Sequence, residues 1–370
     1  MDPIQLTKAL VAIHSINPND GEKKVAHAIG PILEANGFSV TYNEYAPNRV
    51  NLIAQKSGTT NHPSLCFSGH MDTVPLGAVA WTKDPFQGDE DKDKLYGRGS
   101  SDMKSGLAVI TTAAIKASRK PLRSDLTLIF TAGEETGCEG CHYLSEYYSD
   151  LLPVGALVIA EPTSNYPLVG HKGAFWVTVQ TNGSTAHGSV PEQGVNAIYK
   201  AIDAIKKLKD YDFATKDHPL LNSPTLNVGT INGGIATNSV PDQCRITVDI
   251  RTTPLLNHQD LFNRLKEKLG SEVDITPMID TSAMVTDETH PWVQSVFDLM
   301  IPYLGKRPEP KGVNYFTDAS VLKPALGNPP TLILGPGEGD MAHKTDEFVF
   351  KSKILECEEV YIKLIDQWNQ

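Results

Sequence analysis

The chain has 370 residues, 40% of them apolar, a formal net charge of −11 and five cysteines. That length outgrows a single hydrophobic core and predicts two domains. The acidic balance, with no clustered Lys and Arg, argues against nucleic acid or an anionic membrane as the main partner, and no stretch approaches the roughly 20 apolar residues that span a bilayer. Met1-Asp2-Pro3-Ile4-Gln5 carries no basic segment leading into an apolar one, so export is not expected. Cys66, Cys138, Cys141, Cys244 and Cys357 are odd in number and mostly far apart, which predicts reduced thiols in the cytoplasm.

Residues 1–174 alternate helical and strand patterns. An amphipathic helix is expected over 26–36, then strands over 38–44, 51–55 and 64–69. A helix over 106–116, an apolar strand over 125–131, a helix near 139–147 and a strand over 156–160 follow. The apolar strand runs predict an α/β domain whose mostly parallel sheet is flanked by helices, with ligands collecting at the strand ends. The pattern then changes to strand 175–181, helix 195–208, strands 225–231 and 244–251, helix 259–269 and strand 272–278. That βαββαβ order predicts a compact unit over 175–282, inserted into a larger domain of 1–174 and 283–370. The α/β pattern resumes with helix 291–304, strand 331–334 and a closing helix over 351–368; the basic run Lys206-Lys207-Leu208-Lys209 reads as a solvated helix end.

Several polar groups follow those apolar strands. In Gly69-His70-Met71-Asp72-Thr73-Val74-Pro75, alternation in an extended chain puts His70 and Asp72 on one side, so the carboxylate could hold the imidazole in its metal-binding tautomer. Asp102 lies in Gly97-Arg98-Gly99-Ser100-Ser101-Asp102-Met103-Lys104, a glycine-punctuated loop that opens a helix. By itself Asp102 reads as an N-terminal cap, yet its two oxygens could bridge two cations. Glu134-Glu135 follow the strand 125–131, where adjacent side chains point apart; one could bind a metal while the other faces a water. A solvated acidic turn is the plainer reading of that pair. Glu161 follows strand 156–160, and His343 lies in a loop after strand 331–334. Each alone could be a surface residue, but five candidate ligands, His70, Asp102, Glu135, Glu161 and His343, follow strands or strand-linked loops of one sheet.

At these motifs, together with Glu161-Pro162-Thr163, His171-Lys172-Gly173, Asp249-Ile250-Arg251 and Ala342-His343 with Asp346-Glu347, the sequence resembles the M20 family of di-zinc metallopeptidases and deacylases, over almost the whole chain. The resemblance implies one metal held by His70, Asp102 and Glu161 and a second by Asp102, Glu135 and His343, with Asp102 bridging and the peptide after it cis. It implies that Glu134 is the general base and acid that takes a proton from the attacking water and returns it to the departing amine, with Asp72 beside His70 as a further catalytic-site residue. It further implies that the inserted unit is a lid and dimerisation domain of a homodimer. In that unit His187 would stabilise the oxyanion in the partner subunit's site, and Asn238 and Arg251 would contact a substrate carboxylate, with Thr317 lining the same pocket. Phe316 stands where many relatives carry glycine.

The activity expected is removal of an N-acyl group, acetyl in the leading case, from a small amino acid such as N-acetylornithine. A desuccinylase acting on succinyl-diaminopimelate, a dipeptidase or a carboxypeptidase on the same scaffold, and a noncatalytic metal-dependent binding protein are the alternatives. Mixed imidazole and carboxylate ligands suit two zinc ions and also admit cobalt or manganese. Cys138 and Cys141 have a metal-like or redox-like spacing, but no second pair completes a site.

Overall fold

The computed structural model describes residues 1–18 and 20–370. They form two compact units, one of Met1–Gly170, Val285–Lys311 and Thr317–Gln370, the other of His171–Met284 and Gly312–Phe316.

In the larger unit a six-stranded sheet runs in the order Ser39–Ala46, Arg49–Lys56, Leu126–Thr131, Ser64–His70, Val154–Ile159, Thr331–Ile333. The last four strands are mutually parallel, while the second, Arg49–Lys56, is antiparallel to both of its neighbours, Ser39–Ala46 and Leu126–Thr131. Ser64–His70 and Leu126–Thr131 are buried at every position, which is why they read as continuous apolar runs rather than alternating ones. Helix Ser105–Ala117 is buried on nearly all sides, packed between the sheet and the closing helix Lys351–Trp368. Helix Lys23–Glu34 buries only a stripe of Val25, Ala26, Ile29, Gly30 and Leu33, the spacing of a surface helix. The mostly parallel, helix-flanked sheet expected from the sequence is present.

Two local features differ from expectation. A helix Pro3–Val11 precedes the first one expected; Asp2 caps it by accepting from Ile4 N–H at 2.9 Å, and Pro3 opens it. The helix expected near 139–147 is a single turn, Glu139–Tyr143, followed by 3₁₀ turns at Leu144–Glu146 and Tyr148–Leu151. The Tyr148 hydroxyl and Leu144 N–H both donate to the Cys141 carbonyl, tightening the chain where an α-helix would continue.

The smaller unit has the order strand Gly173–Asn182, helix Ala197–Lys209, strands Thr225–Gly233 and Gln243–Thr252, helix His258–Leu269, strand Val273–Thr281. Its sheet is antiparallel throughout, with Thr225–Gly233 at one edge and Val273–Thr281 at the other. Phe175, Val177 and Val179 alternate inward on one strand and Cys244, Ile246, Val248 and Ile250 on its neighbour. Ala197, Ala201, Ala204 and Leu208 from one helix, and Leu261, Leu265 and Leu269 from the other, complete that core at helical spacing. Among the described residues no helix is long and apolar enough to cross a membrane.

Candidate active site

The larger unit concentrates its buried acids at the carboxyl ends of neighbouring parallel strands. His70 ends Ser64–His70, Glu134 and Glu135 follow Leu126–Thr131, and Glu161 follows Val154–Ile159. His343 comes from the loop after Thr331–Ile333, just beyond a 3₁₀ turn at Gly339–Met341. Asp102 enters from the segment before helix Ser105–Ala117; it and Met103 depart from helical backbone geometry, and the peptide between them is cis. Close backbone approach makes room for this convergence. A Cβ at Gly335 would lie 2.2 Å from the Ala160 carbonyl oxygen, and one at Gly106 only 2.4 Å from the same atom.

The two oxygens of Asp102 face different histidines. Oδ1 is 3.1 Å from His70 Nε2, and Oδ2 is 3.5 Å from His343 Nε2. His70 Nε2 is also 3.7 Å from Glu161 Oε1, and His343 Nε2 is 3.1 Å from Glu135 Oε2. His70, Asp102 and Glu161 thus form one group of converging donors; Asp102, Glu135 and His343 form a second; His70 with Glu134 and Glu135 forms a third. Donors about 3.3 Å apart are what a tetrahedral ion with bonds near 2.0–2.1 Å requires.

Charge makes the same point. Glu134, Glu135 and Glu161 are all pushed above the usual carboxylate range, first by burial and then by neighbouring acids: Glu161 and Glu135 for Glu134, Asp102 for Glu135, and Asp102 with Glu135 for Glu161. Asp102 is held low: burial opposes its charge, but the contact with His70 prevails. Burial disfavours a proton on His70, yet Glu161, Asp102 and Asp72 raise it well above its ordinary value. His343 is raised to about 9, chiefly by its hydrogen bond to Glu135. Four clustered carboxylates with two imidazoles as the nearby positive groups form a site whose charge calls for cations, and a nitrogen and oxygen donor set of this kind suits divalent metals.

Asp72 supports the cluster without joining it. The nearer acceptor for His70 Nδ1 is the main-chain oxygen of Asp72 at 3.0 Å, with carboxylate Oδ1 at 3.5 Å. The carboxylate itself accepts from Asn17 Nδ2 and from the main-chain N–H groups of Glu134 and Glu135. Asn17 escaped sequence reasoning; Ser15-Ile16-Asn17-Pro18 carries no periodic signal there, and its partner lies 55 residues away. Asp318 escaped it as well. That buried carboxylate accepts from the Thr131 hydroxyl at 2.5 Å and lies near Glu134, whose proton affinity it raises.

Of the remaining candidates, Thr317 is fully buried, and its hydroxyl accepts from Ala319 N–H at 3.1 Å, just before the helix Ala319–Ala325. The others belong to the smaller unit. His187 is exposed, its Nδ1 2.7 Å from the Ser189 hydroxyl, and Asn238 lies beside it, its carbonyl accepting from Gly188 N–H at 2.7 Å. Arg251 pairs with Asp249 at 2.9 Å, and its guanidinium lies 5.7 Å from the Trp176 ring centre and 5.8 Å from that of Phe316. Cys138 and Cys141 are buried, unpaired thiols raised well above their ordinary range by burial.

Comparison with known proteins agrees with this geometry. Residues 66–367 match peptidase family M20/M25/M40. The acetylornithine deacetylase of Photorhabdus laumondii subsp. laumondii is 31% identical over 385 aligned residues, covering 99% of this chain and 97% of that one. Among solved structures, the M20 family metallo-carboxypeptidase of Sulfolobus solfataricus superposes with a TM-score of 0.85 at 17% identity, covering 100% of both chains. A dinuclear metal-binding M20 peptidase of Bacillus subtilis superposes with a TM-score of 0.71 at 14% identity, covering 98% of this chain and 96% of that one. The chain belongs to peptidase family M20/M25/M40 and is a hydrolase of amide bonds.

Proposed function

We propose that this chain is a two-metal deacylase that releases acetate from N-acetylornithine. The observation that carries the two-metal reading is Asp102, which turns one oxygen toward each of two histidines. His70 and Glu161 complete the first ion's ligands, and Glu135 and His343 the second's. When bound, two divalent cations polarise the amide carbonyl and acidify the attacking water. Zinc fits the donor set, with cobalt and manganese as functional substitutes.

Glu134 serves as the proton carrier: it accepts a proton from the attacking water and delivers it to the amine as the C–N bond breaks, leaving acetate and ornithine. Burial among acids raises its proton affinity, which suits a group that must both accept and release a proton. His187 stabilises the developing oxyanion in the partner subunit's site, and Arg251 with Asn238 receives the substrate carboxylate, with Thr317 shaping the pocket. A homodimer joined through the smaller unit is supported by the free edge of Thr225–Gly233 and by exposed apolar side chains nearby, among them Ile235 at 94% and Tyr199 at 69% exposure. The buried, unpaired cysteines favour a cytoplasmic setting.

Full-length similarity to acetylornithine deacetylases favours acetylornithine as substrate. Turnover of acetylornithine, succinyl-diaminopimelate and simple dipeptides, each with added zinc, cobalt or manganese and after chelation, tests it. Metal-dependent release of acetate at the highest kcat/KM is the expected result; faster release of succinate, or of an amino acid from dipeptides, would replace the substrate. Tight metal and ligand binding without product under any metal would leave a binding protein instead.

A further inference from the structure

Two consecutive carboxylates just beyond His343 grip different parts of the larger unit. Asp346 reaches outward: Oδ1 accepts from Thr82 N–H at 2.8 Å and Oδ2 from the Thr82 hydroxyl at 2.9 Å. Glu347 is fully buried and reaches the Asp102 loop. Its Oε2 accepts from Arg98 Nη1 at 2.7 Å and Gly99 N–H at 2.9 Å, and its Oε1 from Ser101 N–H at 2.8 Å and Asp102 N–H at 3.0 Å. A carboxylate offers about four acceptor positions, and these four bonds use them. Glu347 therefore has nothing left with which to bind an ion.

The backbone around it is zipped to the same loop. Gly97 N–H donates to the Glu347 carbonyl at 2.9 Å, the Ser101 hydroxyl donates to the Phe348 carbonyl at 2.7 Å, and Glu338 N–H donates to the Ser101 hydroxyl at 2.9 Å. His343 and Asp346 have φ values of 63° and 56°, a left-handed conformation uncommon in residues with side chains and one that His and Asp adopt more readily than most. His70, by contrast, is fixed independently, by its strand and by the Asp72 carbonyl at 3.0 Å.

We propose that Glu347 is a positioning residue that sets the separation of Asp102 and His343, and so tunes the ion held by Asp102, Glu135 and His343 more than the ion held by His70, Asp102 and Glu161. This rests on the two-metal reading above.

The test is a calorimetric titration of metal-stripped full-length protein with Zn²⁺ against a competing chelator. Wild type is expected to take two ions. Glu347→Gln is expected to weaken one of them about 10- to 100-fold and to leave the other within about threefold, whereas Asp346→Asn leaves both near wild type. His343→Ala identifies which ion is affected. Equal weakening of both ions, no weakening, or the same loss in Asp346→Asn would overturn the assignment. Should the stranded Arg98 charge prevent folding of the single variant, two neutral doubles carry the test. Arg98→Met with Glu347→Gln leaves the amide oxygen, which the Arg98 charge draws away in the single variant, free to face Ser101 and Asp102 and is expected to retain both ions, while Arg98→Met with Glu347→Met loses the second. Equal behaviour of the two folded doubles would overturn the assignment. Fewer than two ions in wild type would overturn the two-metal reading, and the role of Glu347 with it.

Discussion

Asp72 meets Glu134 through the main chain: its Oδ1 accepts the Glu134 N–H at 3.2 Å, while Oδ2 accepts the Glu135 N–H at 3.1 Å. One carboxylate thus fixes the backbone of the proposed base and of a proposed ligand, while the carbonyl of the same residue orients His70. Asp72→Asn keeps the size of the side chain but replaces one acceptor with a donor that faces an N–H group. It is expected to lower kcat about 10- to 100-fold with reduced metal content. Steady-state kinetics with metal analysis per protomer checks this, and an unchanged kcat would show that Asp72 only fills space.

Glu134→Gln removes the proton acceptor at nearly constant volume. Turnover is expected to fall at least about 10²- to 10⁴-fold, the usual worth of a positioned acid and base, while the two ions remain bound. Single-turnover kinetics beside metal analysis separates these effects. Loss of an ion together with activity would make Glu134 a ligand, a role its grouping with His70 and Glu135 permits geometrically.

What sequence could anticipate here follows from the range of each signal. His70, Glu134, Glu135 and Glu161 were legible because a buried parallel strand is a short apolar run, and a polar group immediately past its end stands out. Alternation likewise marks Phe175, Val177 and Val179, which face the core of the smaller unit. Contacts between distant segments leave no periodic trace: Asn17 meets Asp72 across 55 residues, and Glu347 meets Asp102 across 245. For the same reason Gly312–Phe316 could not be foreseen in the smaller unit, where Phe316 packs edge-on to Trp176 at 6.5 Å. The sequence points to the Asp72 carboxylate as the group that holds the His70 tautomer, but the carbonyl of that residue is closer, at 3.0 Å against 3.5 Å.

Arg251 offers a prediction about binding. Asp249 engages its Nε and Nη2, and the rings of Trp176 and Phe316 flank the guanidinium. Lysine would keep the charge but lose the planar fork and its stacking. Arg251→Lys is expected to raise KM for acetylornithine by about tenfold or more, equivalent to about 1.4 kcal/mol, with kcat changing less than about threefold. A fall in kcat at constant KM would reassign Arg251 from substrate capture to the reaction step.

A final prediction concerns stability and lies outside the candidate site. Glu22 is fully buried; Arg49 Nε donates to its Oε2 at 3.0 Å, and its Oε1 has no hydrogen-bond partner. Burial first, and then the charge of Asp72, raise its pKa from 4.5 to about 7 despite Arg49. A carboxyl whose folded pKa lies above its unfolded value favours the folded state below the unfolded pKa, and that contribution disappears as pH rises through the folded pKa. For Glu22 the loss falls between about pH 4.5 and pH 7 and amounts to roughly 3 kcal/mol. Glutamine stays neutral throughout, and Arg49 retains Glu139 at 3.2 Å. Urea unfolding of wild type and Glu22→Gln at pH 5 and pH 8 should therefore show the variant gaining relative stability with rising pH, by up to that amount. A constant difference between the two proteins at both pH values would mean that Arg49 keeps Glu22 ionised throughout.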